Sequence, residues 1–291
     1  MSSYLNLGCG LRFHPAWTNV DFVAGDPSVV AHDLRRGVPF GDEQFEVVYH
    51  SHVLEHFSKA DAEPFLKECR RVLKPGGVVR VAVPDLERAA RVYLQALEKA
   101  EGGDDAWRDN YDWMMLELYD QTVRERSGGE MAAYLLQEEI PNKEFVIGRV
   151  GVEAERIIES AAQSRESVPA GASPPQRRSP GAVLRRLYGM VRRPSFRRES
   201  STSRRESAIR KLLGEEYELL RLGRFRRGGE VHLWMYDRHS LARALRAAGF
   251  RDPRVVGAAE SRIQGWAGFQ LDTEPDGTTY KPDSLFMEAV K

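Results

Sequence analysis

The stretch whose reading decides the fold stands almost at the start of the chain: Leu5–Asp21, LNLGCGLRFHPAWTNVD. A short apolar strand stops at Gly8-Cys9-Gly10, and a second strand follows that carries an acid, Asp21. Glycine permits positive φ and lets a ligand approach the backbone with no Cβ in the way. In a doubly wound parallel sheet, ligands sit beyond the carboxyl ends of the strands, where such a turn lies. An acid at the end of the second strand is placed to accept hydrogen bonds from two ribose hydroxyls, so an adenosine-containing ligand is the expectation. A dinucleotide fingerprint needs a third glycine three residues after the second, and an acid about 20 residues further on. Phe13 stands at the third-glycine place, Asp21 arrives much earlier, and no P-loop Lys-Ser/Thr follows. The spacing fits neither a nicotinamide site nor an ATP site.

Outward from this stretch, apolar runs near Tyr4–Leu7, Thr18–Phe22, Val29–Asp33, Phe45–His50 and Val78–Val83 predict five strands. Between the last two, Phe65, Leu66, Cys69, Val72 and Leu73 recur at helical spacing over Lys59–Leu73. The KPGG run at Lys74–Gly77 is the expected stop of that helix. Strands alternating with helices imply a parallel sheet covered on both faces. Helices are expected over Leu86–Ala100, Asp109–Arg126 and Met131–Gln137, then over Arg238–Ala248 with Gly249 closing it. Strands near Arg254–Gly257 and Ser284–Val290 finish the chain, and Gln163–Ser207, crowded with Ser, Pro and Arg, reads as a linker or loop.

The chain has 43 Lys/Arg and 43 Asp/Glu, yet from Arg165 to Arg227 it carries 17 basic against 6 acidic residues. That asymmetry sets the segment apart from the acidic remainder. Arginine pairs stand at 177–178, 185–186, 192–193, 197–198 and 204–205, and AVLRRLYGMVRR places Val183, Leu184, Leu187, Tyr188 and Val191 on one helical face. A basic amphipathic helix of this kind suits an anionic membrane surface, so peripheral contact through 177–205 stands beside the plainer reading of a solvated loop. Nucleic acid is disfavoured as a partner, because no stacking-aromatic pattern accompanies the arginines. No apolar run approaches the roughly 20 residues of a membrane span. Two cysteines without metal-like spacing, and no secretory pattern, lead us to expect a cytoplasmic protein, with the inner membrane face as its peripheral site.

Several motifs together, LNLGCG, NVD, HDLRRGVPFGDEQFEVVYHSHVLEHF and FLKECRRVLKPGGVVRVAVPD, closely resemble the class I S-adenosylmethionine-dependent methyltransferases, the "type 11" kind. HLWMYDRHSLARALRAAGF resembles the piece before the sixth strand of that group. The resemblance implies a Rossmann-like α/β sheet with a mostly helical insertion between the fifth strand and the last helix. Residues 1–85 would open the cofactor-binding core, 86–229 would form a substrate lid holding the basic loop at about 163–207, and 230–291 would complete the core. It further implies that Asn6 and the Gly8-Cys9-Gly10 backbone meet the methionine part of S-adenosyl-L-methionine. Asp21 would take the ribose, Phe22 would flank the adenine, and Asp33 and Leu34 would meet its edge. His50 and Ser51 would lie beside the amino group and the sulfonium. One departure is plain: only ten residues separate Gly10 from Asp21, so the first helix is one turn or missing.

Methyl transfer from a sulfonium is an in-line displacement, helped most by positioning the acceptor. A hydroxyl acceptor also needs a base, and histidine suits that task near neutrality. His52, in the loop after the fourth strand, is the first candidate, and His232, in EVHLWMYD, is the second. His56 reads as structural. The HSHVLEH run invites a metal reading, set aside because no further Cys or clustered acid stands near it. The chain resembles a subgroup associated with bacterial surface-polysaccharide synthesis, which implies O-methylation of a small-molecule or glycan acceptor. Peptide, protein or RNA methylation, and cofactor binding without turnover, stay open.

Overall fold

The computed structural model describes residues 3–166 and 199–291. Seven strands make one sheet: β1 (Tyr4–Leu7), β2 (Thr18–Asp21), β3 (Val29–Ala31), β4 (Phe45–Ser51), β5 (Leu73–Pro84), β6 (Arg251–Val256) and β7 (Ser284–Val290). Their order is β3-β2-β1-β4-β5-β7-β6. All pairings are parallel except those of β7, which runs antiparallel to both β5 and β6. The order reverses between β1 and β4, which places the ligand crevice beyond their carboxyl ends. The inner strands are buried along almost their whole length, as expected where both faces are covered.

Helix α1 (Lys59–Val72) covers one face. Its N-terminus is capped by Ser58, whose hydroxyl accepts from the Asp61 amide, and it lays Phe65, Leu66, Cys69 and Val72 against the sheet. A helix near the C-terminal end, α9 (Arg238–Ala247), starts at an Asp237/Ser240 capping box and packs beside α1. The KPGG run does more than stop α1: the strand resumes at once. Phe45 pairs with Leu73 and Val47 with Val78, so Lys74–Gly77 bulge out of the β4–β5 ladder.

The missing first helix is confirmed: no helix lies between β1 and β2. The face it would have covered is sealed instead by aromatics. Trp17 contacts Tyr4, Tyr49, Trp266 and Phe269, with Trp266 and Phe269 brought in by a short C-terminal helix, α10 (Trp266–Phe269).

Between β5 and α9 lies a helical body: α2 (Leu86–Glu101), α3 (Ala106–Val123), α4 (Gly129–Leu135), α5 (Lys143–Val150), α6 (Val152–Glu166), α7 (Glu199–Leu213) and α8 (Glu216–Arg226). Trp113, Met114, Ala132, Leu135, Val146, Ile157 and Ile158 form its own core, separate from that of the sheet. The linker expected over 163–207 is corrected at both ends, since 163–166 and 199–207 are helical. The arginine pairs from 177 to 198 and the amphipathic stretch around Leu187 lie outside the described residues. Among the described residues, no helix is long and apolar enough to cross a membrane.

Candidate active site

The glycine turn is built by two different demands. Gly8 has φ +67°, and a Cβ there would overlap the Val53 side chain, so the turn after β1 can close on the turn after β4 only without one. Gly10 has φ +53° and faces open space, with nothing within 4 Å of where a Cβ would stand. The amides of Gly8 and Cys9 both donate to the Val20 carbonyl, at 2.7 and 3.1 Å. Asp21 accepts from the Gly10 amide through Oδ2 (2.8 Å) and from the Val23 amide through Oδ1 (3.2 Å). The acid and the turn are therefore held together beside the β1–β4 crevice, with open space at Gly10 for a ligand to approach the backbone.

The other residues expected at the cofactor are placed unevenly, some open and some engaged within the protein. Asn6 is buried, its amide donating to the Arg12 carbonyl and to Asn19 Oδ1, so it braces the turn from below and is not free to meet a ligand. Cys9 is buried and its thiol is pushed up to about 12, by desolvation first and by Asp21 second. Phe22 is 56% exposed and open to a stacking partner, with the Arg35 guanidinium 5.8 Å from its ring centre. Asp33 caps a short 3-10 turn, and the Arg35 guanidinium bonds both its oxygens at 2.8–2.9 Å, which holds its carboxyl below the ordinary range. Leu34 packs partly into the main core. His50 corrects our expectation most clearly. It is 0% exposed, its ring lies 5.2 Å from Phe65 on the α1 side, and neither ring nitrogen has a hydrogen-bond partner. Desolvation pushes it down to about 4, so it is a neutral core histidine. Ser51 ends β4, half-buried and paired with Ala82.

Beyond β4 the chain turns sharply, with His52 at φ +52° and its amide donating to the Ala82 carbonyl. His52 Nδ1 lies 3.3 Å from Glu55 Oε1, and its Nε2 lies 2.8 Å from the Ser284 hydroxyl at the start of β7. The segment 231–235 crosses over this turn: the amides of Leu233 and Trp234 both donate to the Glu55 carbonyl. His56 Nδ1 meets the Val231 carbonyl at 3.2 Å, and the His56 and His232 rings stand 4.9 Å apart. His232, the second candidate base, is 5% exposed and pushed down to about 3, chiefly by desolvation. Glu55 is wholly buried; desolvation alone would raise it, but His52, His56 and His232 hold it below the usual carboxylate range. Sequence reasoning missed Glu55, although it stands inside the LEH motif.

Alongside lies a cleft of about 380 Å³ lined by Leu86, Thr122, Arg226, His232, Leu233, Trp234 and Met235. Trp234 is 39% exposed there, whereas Tyr236 belongs to the core. Two acids of α3 near the cleft are engaged internally: Glu117 pairs with Arg149, and Asp120 with Arg124.

Residues 6–81 match the family described as "Methyltransferase domain". Among solved structures the chain is similar to a SAM-dependent methyltransferase from Archaeoglobus fulgidus, at 11% identity over 99% of this chain and 85% of the other, TM-score 0.34. It is also similar to PKMT2 from Rickettsia typhi in complex with AdoHcy, at 12% over 99% and 48%, TM-score 0.32. A third is the YcgJ protein from Bacillus subtilis, at 21% over 33% and 50%, TM-score 0.25. No curated protein matches by sequence. The family match falls on the glycine turn, Asp21 and the β4 turn, so residues 6–81 carry a methyltransferase domain within a Rossmann-like sheet, and the chain is an S-adenosylmethionine-dependent methyltransferase whose cofactor is S-adenosylmethionine.

Proposed function

We propose that this methyltransferase methylates a hydroxyl of a small-molecule or carbohydrate acceptor bound in the cleft beside Trp234, with His52 as the general base. The observation that carries this reading is the setting of His52. A carboxylate can only accept, so Nδ1 carries the ring proton toward Glu55, and Nε2 presents its lone pair toward the Ser284 hydroxyl. That is the arrangement of a base held in one tautomer by an acid behind it. It lies at the carboxyl end of β4, beside the crevice where this fold takes its ligands. S-adenosylmethionine, when bound, supplies a methyl group activated by the sulfonium. The chain's own part is to hold the acceptor oxygen in line and to take its proton at His52 Nε2, displacing Ser284 from that nitrogen. Trp234, partly exposed in the cleft, offers the flat apolar face on which a sugar ring can lie, with Arg226 and Thr122 as polar neighbours.

For the cofactor, Asp21 is proposed to take the ribose hydroxyls, the Gly8–Gly10 backbone the methionine part, and Phe22 the adenine face. Asp33 and Leu34 keep only a supporting place, because Asp33 is committed to Arg35. Of the two candidate bases His52 is retained, because His232 is buried beside His56.

His52→Ala is expected to lower kcat by about 10²–10⁴-fold while S-adenosylhomocysteine binds as before. Asp21→Ala is expected to weaken that binding about 100-fold, the loss of two hydrogen bonds to a charged acceptor. The acceptor class is tested with methyl-labelled S-adenosylmethionine and a fractionated extract. Label in glycans or nucleotide sugars supports the reading; label in RNA or protein overturns it.

A further inference from the structure

We propose that Glu55, His56 and His232 form a binding site for one divalent first-row transition metal. The three residues bring one ligand atom each within 4.8 Å of one another. Two histidines and a carboxylate are a donor set that zinc and its neighbours accept.

What distinguishes this cluster from ordinary buried polarity is that its groups lack partners. Both Glu55 carboxylate oxygens are buried without a hydrogen bond, and so is His232 Nδ1. His52 Nδ1 orients its proton toward Oε1 at 3.3 Å, an ion-pair contact that falls short of hydrogen-bond geometry, and Oε2 has no hydrogen-bond partner. A buried carboxylate costs several kcal/mol unless something compensates it, and a dication supplies that compensation. His56 is prepared for the role. Its Nδ1 faces the Val231 carbonyl, which can only accept, so Nδ1 carries the proton and Nε2 keeps its lone pair. Metal-binding histidines are commonly oriented by a backbone carbonyl in this way.

The scaffold is fixed by backbone bonds on both sides. Leu233 and Trp234 donate to the Glu55 carbonyl, and the His232 amide donates to the Gln121 carbonyl of α3. Zinc bonds of about 2.0–2.2 Å need donors roughly 3.4 Å apart in a tetrahedron, so each side chain has about 1 Å to move. Three protein ligands leave a fourth position for water or another donor, and His232 also lines the cleft. The metal would therefore clasp the turn after β4 to the segment 231–235. It is independent of which acceptor is methylated.

The test uses the full-length protein, stripped with chelator and titrated with Zn²⁺ by calorimetry and with Co²⁺ by visible absorption. One saturable site per chain is expected, together with a zinc-dependent rise in melting temperature that follows from linkage. His56→Ala and His232→Ala should weaken Zn²⁺ at least tenfold and lose the rise, while His239→Ala, at an exposed position of α9, should keep both. No saturable site, or equal binding by all four proteins, overturns the proposal. Should a variant fail to fold, X-ray absorption on zinc-loaded wild type decides. A first shell of nitrogen and oxygen with imidazole scattering supports the site; sulfur in that shell points to a cysteine and rejects it.

Discussion

Two buried polar clusters lie in this sheet, and they are finished to different degrees. On the face where the first helix is missing, Arg80 is fully buried and spends all five of its N–H groups. Nε donates to Asp272 (2.8 Å), Nη1 to Glu288 (2.9 Å) and the Glu260 carbonyl (2.8 Å), and Nη2 to the carbonyls of Gly257 and Ala258 (both 3.0 Å). Its acids are satisfied in turn: Tyr49 donates to Asp272 at 2.5 Å, and the Arg262 amide to Glu288 at 2.9 Å. The Trp266 ring lies 4.2 Å from the guanidinium carbon. At the carboxyl end of β4, by contrast, Glu55, His50 and His232 all carry buried polar atoms with no partner. A saturated network holds a fold together. An unsaturated one leaves buried groups uncompensated; at Glu55 and His232 the proposed metal would supply the compensation, whereas His50 stays neutral in the core.

The most severe way to break this comparison is at Arg80. Arg80→Met keeps the length and removes the charge, leaving Asp272 and Glu288 buried and unpaired. Loss of one partner from a buried ion network costs about 3–5 kcal/mol, read as a fall in the denaturant midpoint. A loss below about 1 kcal/mol would mean that residues 257–272 are held over the sheet by Trp17 and Trp266 alone.

Much of the fold was legible in the chain because its signals are local. The apolar runs of β1, β4 and β5 mark buried strands, and ten residues between Gly10 and Asp21 leave no room for a helix. The seal that replaces that helix was not legible. Arg80 meets Asp272 and Glu288 across separations of 192 and 208 residues, and nothing near any of them announces the pairing. The site divides in the same way. That Gly8, Gly10 and Asp21 stand together was legible because one turn joins them. Asn6 and His50 were misplaced because strand position was taken for surface position, whereas alternation turns both side chains into the protein. Glu55 and His232 escaped pairing because the chain brings them together only by folding residue 231 over the LEH turn, 175 positions after His56.

A subtler test concerns pH. His50 sits at about 4 when folded, against about 6.5 in the unfolded chain. Above pH 6.5 both states are neutral and nothing is lost. As pH falls toward 4 the unfolded chain takes a proton that the folded one refuses, so stability declines through that window and levels off below it. His50→Leu removes this proton, and its stability relative to wild type should be about 2 kcal/mol greater at pH 5 than at pH 8. Cofactor affinity should stay within a few-fold. An equal difference at both pH values, or lost affinity, would return His50 to the ligand side of the comparison.

The smallest effect separates ligand-facing residues from structural ones at the far edge of the crevice. Phe22 is exposed, so its removal takes little from the folded state, and surface substitutions of this kind usually stay within about 0.5 kcal/mol. A ring stacked on adenine contributes about 0.5–1.5 kcal/mol beyond its buried area. Phe22→Ala should therefore weaken S-adenosylhomocysteine binding several-fold at unchanged melting temperature in the free protein, and Phe22→Trp should restore it. Arg80→Met must do the reverse, lowering the melting temperature and leaving affinity alone wherever the protein is still folded. If Phe22→Ala lowers stability and spares affinity, the exposed ring is holding Arg35 in place over the 3-10 turn, and the adenine must rest on another surface.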